Sequence, residues 1–112
     1  MITVITAPDL GHIEERHGPN GSAEDKFDQN FLQGIGGYGK IVKAILDYGD
    51  GASEYDKSGR LIYKYYYNFN KHTGTGIDKF GKSITFKGAE MVGTISGQTF
   101  WVETTYPKGI MK

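Results

Sequence analysis

Two of the chain's three histidines and an arginine fall within six residues, in the run Gly11-His12-Ile13-Glu14-Glu15-Arg16-His17-Gly18. Histidine is the side chain whose unperturbed pKa lies nearest neutrality. One imidazole can therefore take a proton from a ribose 2′-hydroxyl while another protonates a leaving 5′-oxygen. Arg16 beside them can stabilise a crowded phosphorane anion through bidentate contacts. On a helix His12 and Arg16 are four residues apart and share a face, whereas His17 stands about 140° round from His12. The plainer reading is a surface helix solvated by Glu14 and Glu15, with His17 packed beside Leu10 and Ile13. The spacing is not His-Glu-x-x-His, and the strand-histidine order of HNH nucleases is missing, so the metal readings fall together and no cofactor is expected.

Other residues offer contacts to a nucleic acid. Phe100-Trp101-Val102-Glu103-Thr104-Thr105-Tyr106-Pro107 reads as a terminal strand whose alternation divides its side chains between two faces. A hydroxyl of Thr104 or Thr105 can hold a scissile phosphate there, and Trp101 or Tyr106 can stack on an unpaired base. Lys71-His72-Thr73-Gly74-Thr75-Gly76 reads as a polar loop in which Lys71 and backbone amides offer a weak phosphate site, with His72 in reserve. In Tyr63-Lys64-Tyr65-Tyr66-Tyr67, alternate tyrosines must face opposite sides. One set belongs to the core, and the other, with Lys64, is left for a base or a partner.

The elements that must position these residues change period midway. Asp9 serves as a plausible N-cap for a helix over Leu10 to His17, stopped by Gly18-Pro19. Ser22-Ala23-Glu24-Asp25 resembles a capping box opening a second helix with Phe27, Phe31 and Leu32 on one stripe. A glycine-rich break follows, then a third helix from Lys40 to Tyr48, ended by Gly49-Asp50-Gly51. After that the period is two. Arg60 to Phe69, Ser83 to Lys87, Met91 to Ser96 and Thr99 to Thr105 are β-prone runs. The step Ile95-Ser96-Gly97-Gln98-Thr99 is a tight hairpin, and Pro107 ends the last strand. The opening Ile2 to Ile5 is a short strand or an ordered arm. The class is α+β, with N-terminal helices packed on a twisted antiparallel sheet.

At 112 residues, residues 1–112 form one domain with one core, since a second would have too little sequence. No apolar run reaches a membrane-spanning length and no signal-peptide pattern opens the chain, so it is read as soluble. The absence of cysteine excludes disulfides and thiolate chemistry. Net charge is zero, but residues 1–56 carry four basic against ten acidic side chains, and residues 57–112 nine against three. That asymmetry predicts either a basic surface for phosphates or ion pairing between the halves.

The order of parts, a helix with His-Ile-x-x-Arg-His, further helices, a Tyr/Lys-rich meander and a last strand ending Val102-Glu103-Thr104-Thr105-Tyr106-Pro107, resembles the barnase/EndoU/colicin/RelE group of ribonucleases. This group is found at the C-termini of polymorphic and contact-dependent inhibition toxins. The resemblance implies a metal-independent RNA endonuclease, directed at transfer RNA and forming a 2′,3′-cyclic phosphate. It places His12, Arg16 and His17 on the helical side of a cleft and Thr104 or Thr105, with Tyr106, on the last strand. It further implies a toxin secreted as the C-terminal part of a larger effector and delivered to the target-cell cytoplasm, where it acts as a monomer. At home it would be held as a heterodimer by an immunity protein. The alternatives are a non-enzymatic RNA- or protein-binding module and a toxin of other chemistry, such as deamidation or DNA cleavage. A cleft bringing His12 or His17 within reach of Thr104, Thr105 or Tyr106 would support the nuclease; an intact helix packing those histidines inside would oppose it.

Overall fold

The computed structural model describes residues 4–6 and 10–111, so the Asp9 cap, Pro8 and the Ile2-Thr3 opening lie outside the described residues. The class is α+β, with three helices and a seven-stranded sheet among the described residues. The chain runs β1 (Val4–Thr6), α1 (Leu10–His17), β2 (Lys26–Phe27), α2 (Gln29–Ile35), α3 (Tyr38–Tyr48), β3 (Asp50–Tyr55), β4 (Leu61–Asn68), β5 (Gly74–Ile77), β6 (Ser83–Ser96) and β7 (Thr99–Ile110).

Helix α1 has the predicted bounds, and Gly18 closes it by donating to the Glu14 carbonyl at 3.0 Å. The second helix begins later than the capping-box pattern predicts. Residues 22–25 form bends, and β2 intervenes before Asp28 takes the N-cap place. The Asp28 carboxylate accepts from the Phe31 amide at 3.1 Å, satisfying one of the donors a helix start leaves without a partner. Helix α3 presents Ile41, Val42 and Ile45 to the core from one stripe.

The expectation of a purely antiparallel sheet is corrected: β1 pairs parallel to β7, although every other pairing is antiparallel. The order is β1-β7-β6-β4-β3, with β5 beside the first half of β6 and β2 beside β5. Residues 83–96 form one long strand where two runs, Ser83 to Lys87 and Met91 to Ser96, were expected. Gly88 stays in the ladder because the Tyr66 ring lies where a Cβ would project, so the missing side chain serves packing rather than a break. Asp50 and Gly51 likewise open β3 instead of ending a helix, and Gly74 to Ile77 pair with β6 instead of forming a polar loop.

The Gly97-Gln98 hairpin forms as expected, with Gly97 at φ 61° where a two-residue connection needs a positive value. Pro107 does not end β7; it pairs with Ala89, and the strand continues to Ile110. Proline fits a ladder where its missing N–H would face away from the partner strand. Beyond Trp101, where β1 stops, no described strand lies on the outer side of β7.

One face of the sheet carries Met91, Ala89, Phe100 and Val102, which pack with Ile13, Phe27, Phe31, Leu32, Ile41, Val42 and Ile45 of the helical layer. The Tyr-rich run divides as its alternation requires, since Tyr63, Tyr65 and Tyr67 pack against this core. Phe100 is fully buried and meets Tyr65 edge to face at 5.4 Å between ring centroids. Phe100→Ala is expected to cost about 3–5 kcal/mol, read as a fall in the urea midpoint at unchanged m-value. A loss below about 1 kcal/mol would mean that Phe100 is not a core anchor.

Candidate functional site

Register settles what stands on the other face. Residues directly opposite one another project to the same side, so Asp50, Tyr66, Glu90 and Tyr106 form one row across β3, β4, β6 and β7. Ala52, Lys64, Val92 and Thr104 form the next row, and Gly88 and Lys108 follow on the far side. These rows open on a groove of about 340 Å3 lined by β3 together with Lys64, Tyr66 and Glu90.

Glu90 is the centre of this face. It is 7% exposed, although ionised carboxylates are rarely buried without partners. Its partners come from β7: the Tyr106 hydroxyl donates to Oε1, and Lys108 Nζ lies 3.3 Å from both carboxylate oxygens. Burial first, and then the hydrogen bond and charge of Glu90, hold the Tyr106 phenol far above its ordinary pKa, so it stays a donor. Burial and the Glu90 charge push Tyr66 upward as well. The Tyr66 hydroxyl lies against Gly88 and against Gly109, whose φ of 85° also favours glycine. Lys64 Nζ sits 2.5 Å from Glu54 Oε1, and that contact raises its pKa.

His17 reaches this row from the side. Helix α1 packs against β7, and the His17 ring lies 5.6 Å from the Tyr106 ring, centroid to centroid. Nδ1 is committed to Asp25, at 3.0 Å from its carbonyl and 3.2 Å from its carboxylate. Nε2 is therefore the nitrogen left for chemistry. Burial works to lower the His17 pKa, but the hydrogen bonds and charge of Asp25 outweigh it, and the net direction is upward. Asp25 moves down, chiefly through its hydrogen bond to His17.

The structure does not gather the predicted residues into one cluster. His17 and Tyr106 meet, and Thr104 stands in the row beside theirs, whereas His12 and Arg16 are exposed on α1 and do not line the groove. His17 is buried within an intact helix, 8% exposed, and yet touches Tyr106. Thr105 is turned to the core face, fully buried, with Oγ1 donating to the Glu90 carbonyl at 2.7 Å; it supports the strand under Glu90. Lys71 and His72 are exposed before β5, Lys71 lining a separate groove with Phe31 and Phe69. Trp101 is half-exposed opposite Thr94, beyond a bulge at Val92/Gly93 that leaves Glu103 without a cross-strand partner. The two charge halves do pair in part, through Lys64–Glu54 and Arg60–Asp56, while Lys71, Lys79, Lys82 and Lys87 make no ion pair among the described residues.

Sequence reasoning missed Glu90. Its signal was a lone acidic residue between Ala89 and Met91, at the edge of a β-prone run, where an unpaired charge is costly to bury. In chemical terms the face offers a fixed carboxylate as proton acceptor, two lysines for an anion, and an imidazole one ring away. Among the described residues no three His, Asp or Glu side chains group as ligands for one ion.

The His17–Asp25 pair makes stability depend on pH. A group whose pKa is raised on folding contributes fully below its unfolded value and loses that contribution as pH rises through the folded one; the lowered Asp25 sets the acid limit. The loss of Tm in His17→Gln is therefore expected to be larger at about pH 5.5 than at about pH 8.5. An equal loss at both would mean the pair is not linked to folding. No family model, no curated protein and no solved structure matches this chain.

Proposed function

We propose that the chain is a metal-independent RNA endonuclease whose centre is the Glu90 face. The observation that carries this reading is a buried carboxylate at the base of an open groove, bracketed by Lys64 and Lys108 and in reach of an imidazole through Tyr106. Glu90 takes the proton of a ribose 2′-hydroxyl, and the 2′-oxygen attacks the adjacent phosphorus. The bond from phosphorus to the 5′-oxygen breaks, and that oxygen leaves with a proton from the His17 imidazolium, giving a 2′,3′-cyclic phosphate. Lys64 and Lys108 offset the charge that gathers on the phosphorane, and Tyr106 holds the carboxylate in place. His12 and Arg16, exposed on α1, are positioned to meet more distant phosphates.

The toxin setting rests on the resemblance alone: transfer RNA as substrate, delivery to the target-cell cytoplasm on a larger effector, and an immunity protein covering the groove. The fold is compatible with it, because one sheet face is packed under helices and the other stays open. A second reading, a non-enzymatic binding module, has one observation in its favour: Glu90 is already paired with Tyr106 and Lys108, as a purely structural acid would be.

Glu90→Gln decides between them, since the amide keeps the shape and can still accept from Tyr106. Purified protein incubated with bacterial transfer RNA in excess EDTA is expected to yield fragments ending in 2′,3′-cyclic phosphate. The variant is expected to cut at least about 100-fold more slowly. Intact RNA with the unsubstituted chain would favour the binding module, whereas equal cleavage by the variant would remove Glu90 from the catalytic centre.

A further inference from the structure

The chain contains the same turn twice. Asp56-Lys57-Ser58-Gly59-Arg60 joins β3 to β4, and Asp78-Lys79-Phe80-Gly81-Lys82 joins β5 to β6. In each, the aspartate Oδ1 accepts from two amides: Ser58 and Arg60 at 2.9 Å, and Phe80 and Lys82 at 2.8 and 2.9 Å. The glycine amide donates to the aspartate carbonyl at 2.9 and 3.0 Å, and both glycines have φ of 78°. The aspartate and the glycine thus build the turn in both places, and the central residue is free to vary.

Serine fills that place in the first turn and phenylalanine in the second. Phe80 is 81% exposed, the most exposed large apolar side chain among the described residues. Since Ser58 forms the same backbone, the fold does not require an aromatic ring at residue 80. The charges differ too. Arg60 is bound to Asp56 and Glu103, at 3.1 and 2.6 Å, whereas the ammonium groups of Lys79 and Lys82 make no ion pair among the described residues. Lys79 Nζ instead stands over the Phe80 ring, 5.2 Å from its centroid. A solvent-facing ring between two unneutralised lysines is the composition that takes an unpaired base on the ring and its phosphates on the ammonium groups. Strand β6 runs directly from this turn to Glu90, about 25 Å along the strand.

We infer that the Lys79-Phe80-Gly81-Lys82 turn is a remote anchor for single-stranded RNA, with Phe80 stacking on one unpaired base while the chain continues to the Glu90 groove. The inference rests on the RNA reading of that groove. It makes the substrate an RNA with an unpaired segment long enough to span both places, so cleavage of a dinucleotide gains nothing from Phe80.

The test uses the full chain carrying Glu90→Gln, to prevent cutting, and a fluorescently labelled single-stranded 20-mer RNA read by anisotropy. Adding Phe80→Ser, the residue already present in the first turn, is expected to weaken binding about tenfold, while Phe80→Trp keeps it. Adding Lys79→Ala and Lys82→Ala together is expected to flatten the dependence of log affinity on log salt by about 1.4. Binding within twofold of the parent in Phe80→Ser overturns the anchor, even if the unsubstituted chain cleaves RNA. A tenfold loss supports it even if cleavage is never found, in which case the catalytic reading alone falls. No binding by the parent overturns the anchor as well, and leaves the catalytic reading to be decided by the cleavage assay.

Discussion

The molecule is organised around the register of β6. Its fourteen residues pair with β7 along one edge and with β5 and then β4 along the other, so no other strand has as many neighbours. Side chains of a strand alternate between faces, and burial of Ala89 and Met91 under the helices obliges Glu90 to look the opposite way. A slip of one residue would drive the carboxylate into the apolar layer and expose Met91, so the core and the groove are specified by the same constraint. Thr105 adds a second lock, since its buried hydroxyl is satisfied by the carbonyl of Glu90 itself.

That arrangement joins polar and apolar halves of the fold at the β6–β7 pair. Tyr106 is opposite Glu90 in the ladder, hydrogen-bonds to it, and meets His17 across the edge where α1 packs. Asp25 then ties His17 to the bends before β2. Elements from both ends of the chain converge on one row of side chains, and the glycines at 88 and 109 leave room there for the Tyr66 ring.

Much of the architecture was legible in the sequence because short-range physics decides it. Helix α1 with its stop at Gly18, the Gly97 hairpin and the division of the Tyr-rich run between two faces follow from helical period, turn chemistry and alternation. What was not legible depended on distant partners. Gly88 reads as a break until the ring of Tyr66 is placed over it, and Pro107 reads as a stop until the outer side of β7 proves to hold no described strand there. The site was legible in part. His17 was singled out as a type able to do acid–base work and Tyr106 as a ring able to stack on a base, but no spacing in the sequence links them to Glu90, which owes its place to the pairing of β6 with β7. Residues close in sequence, His12 and Arg16, proved to share a helix and not the groove.

The parallel contact of β1 with β7 bears on how the molecule comes into being. Val4 pairs with Thr99 and Thr6 with Trp101, so β1, the first described strand, waits for β7, the last. Contacts between such distant segments are slow to form, because a long loop must close before they repay its entropy. During synthesis the helices and the β3–β4 hairpin have their local partners early, whereas β1 has none until β7 has emerged. Strand β1 is thus a late piece to find its place, and this sheet closes on that side only after β7 has been made.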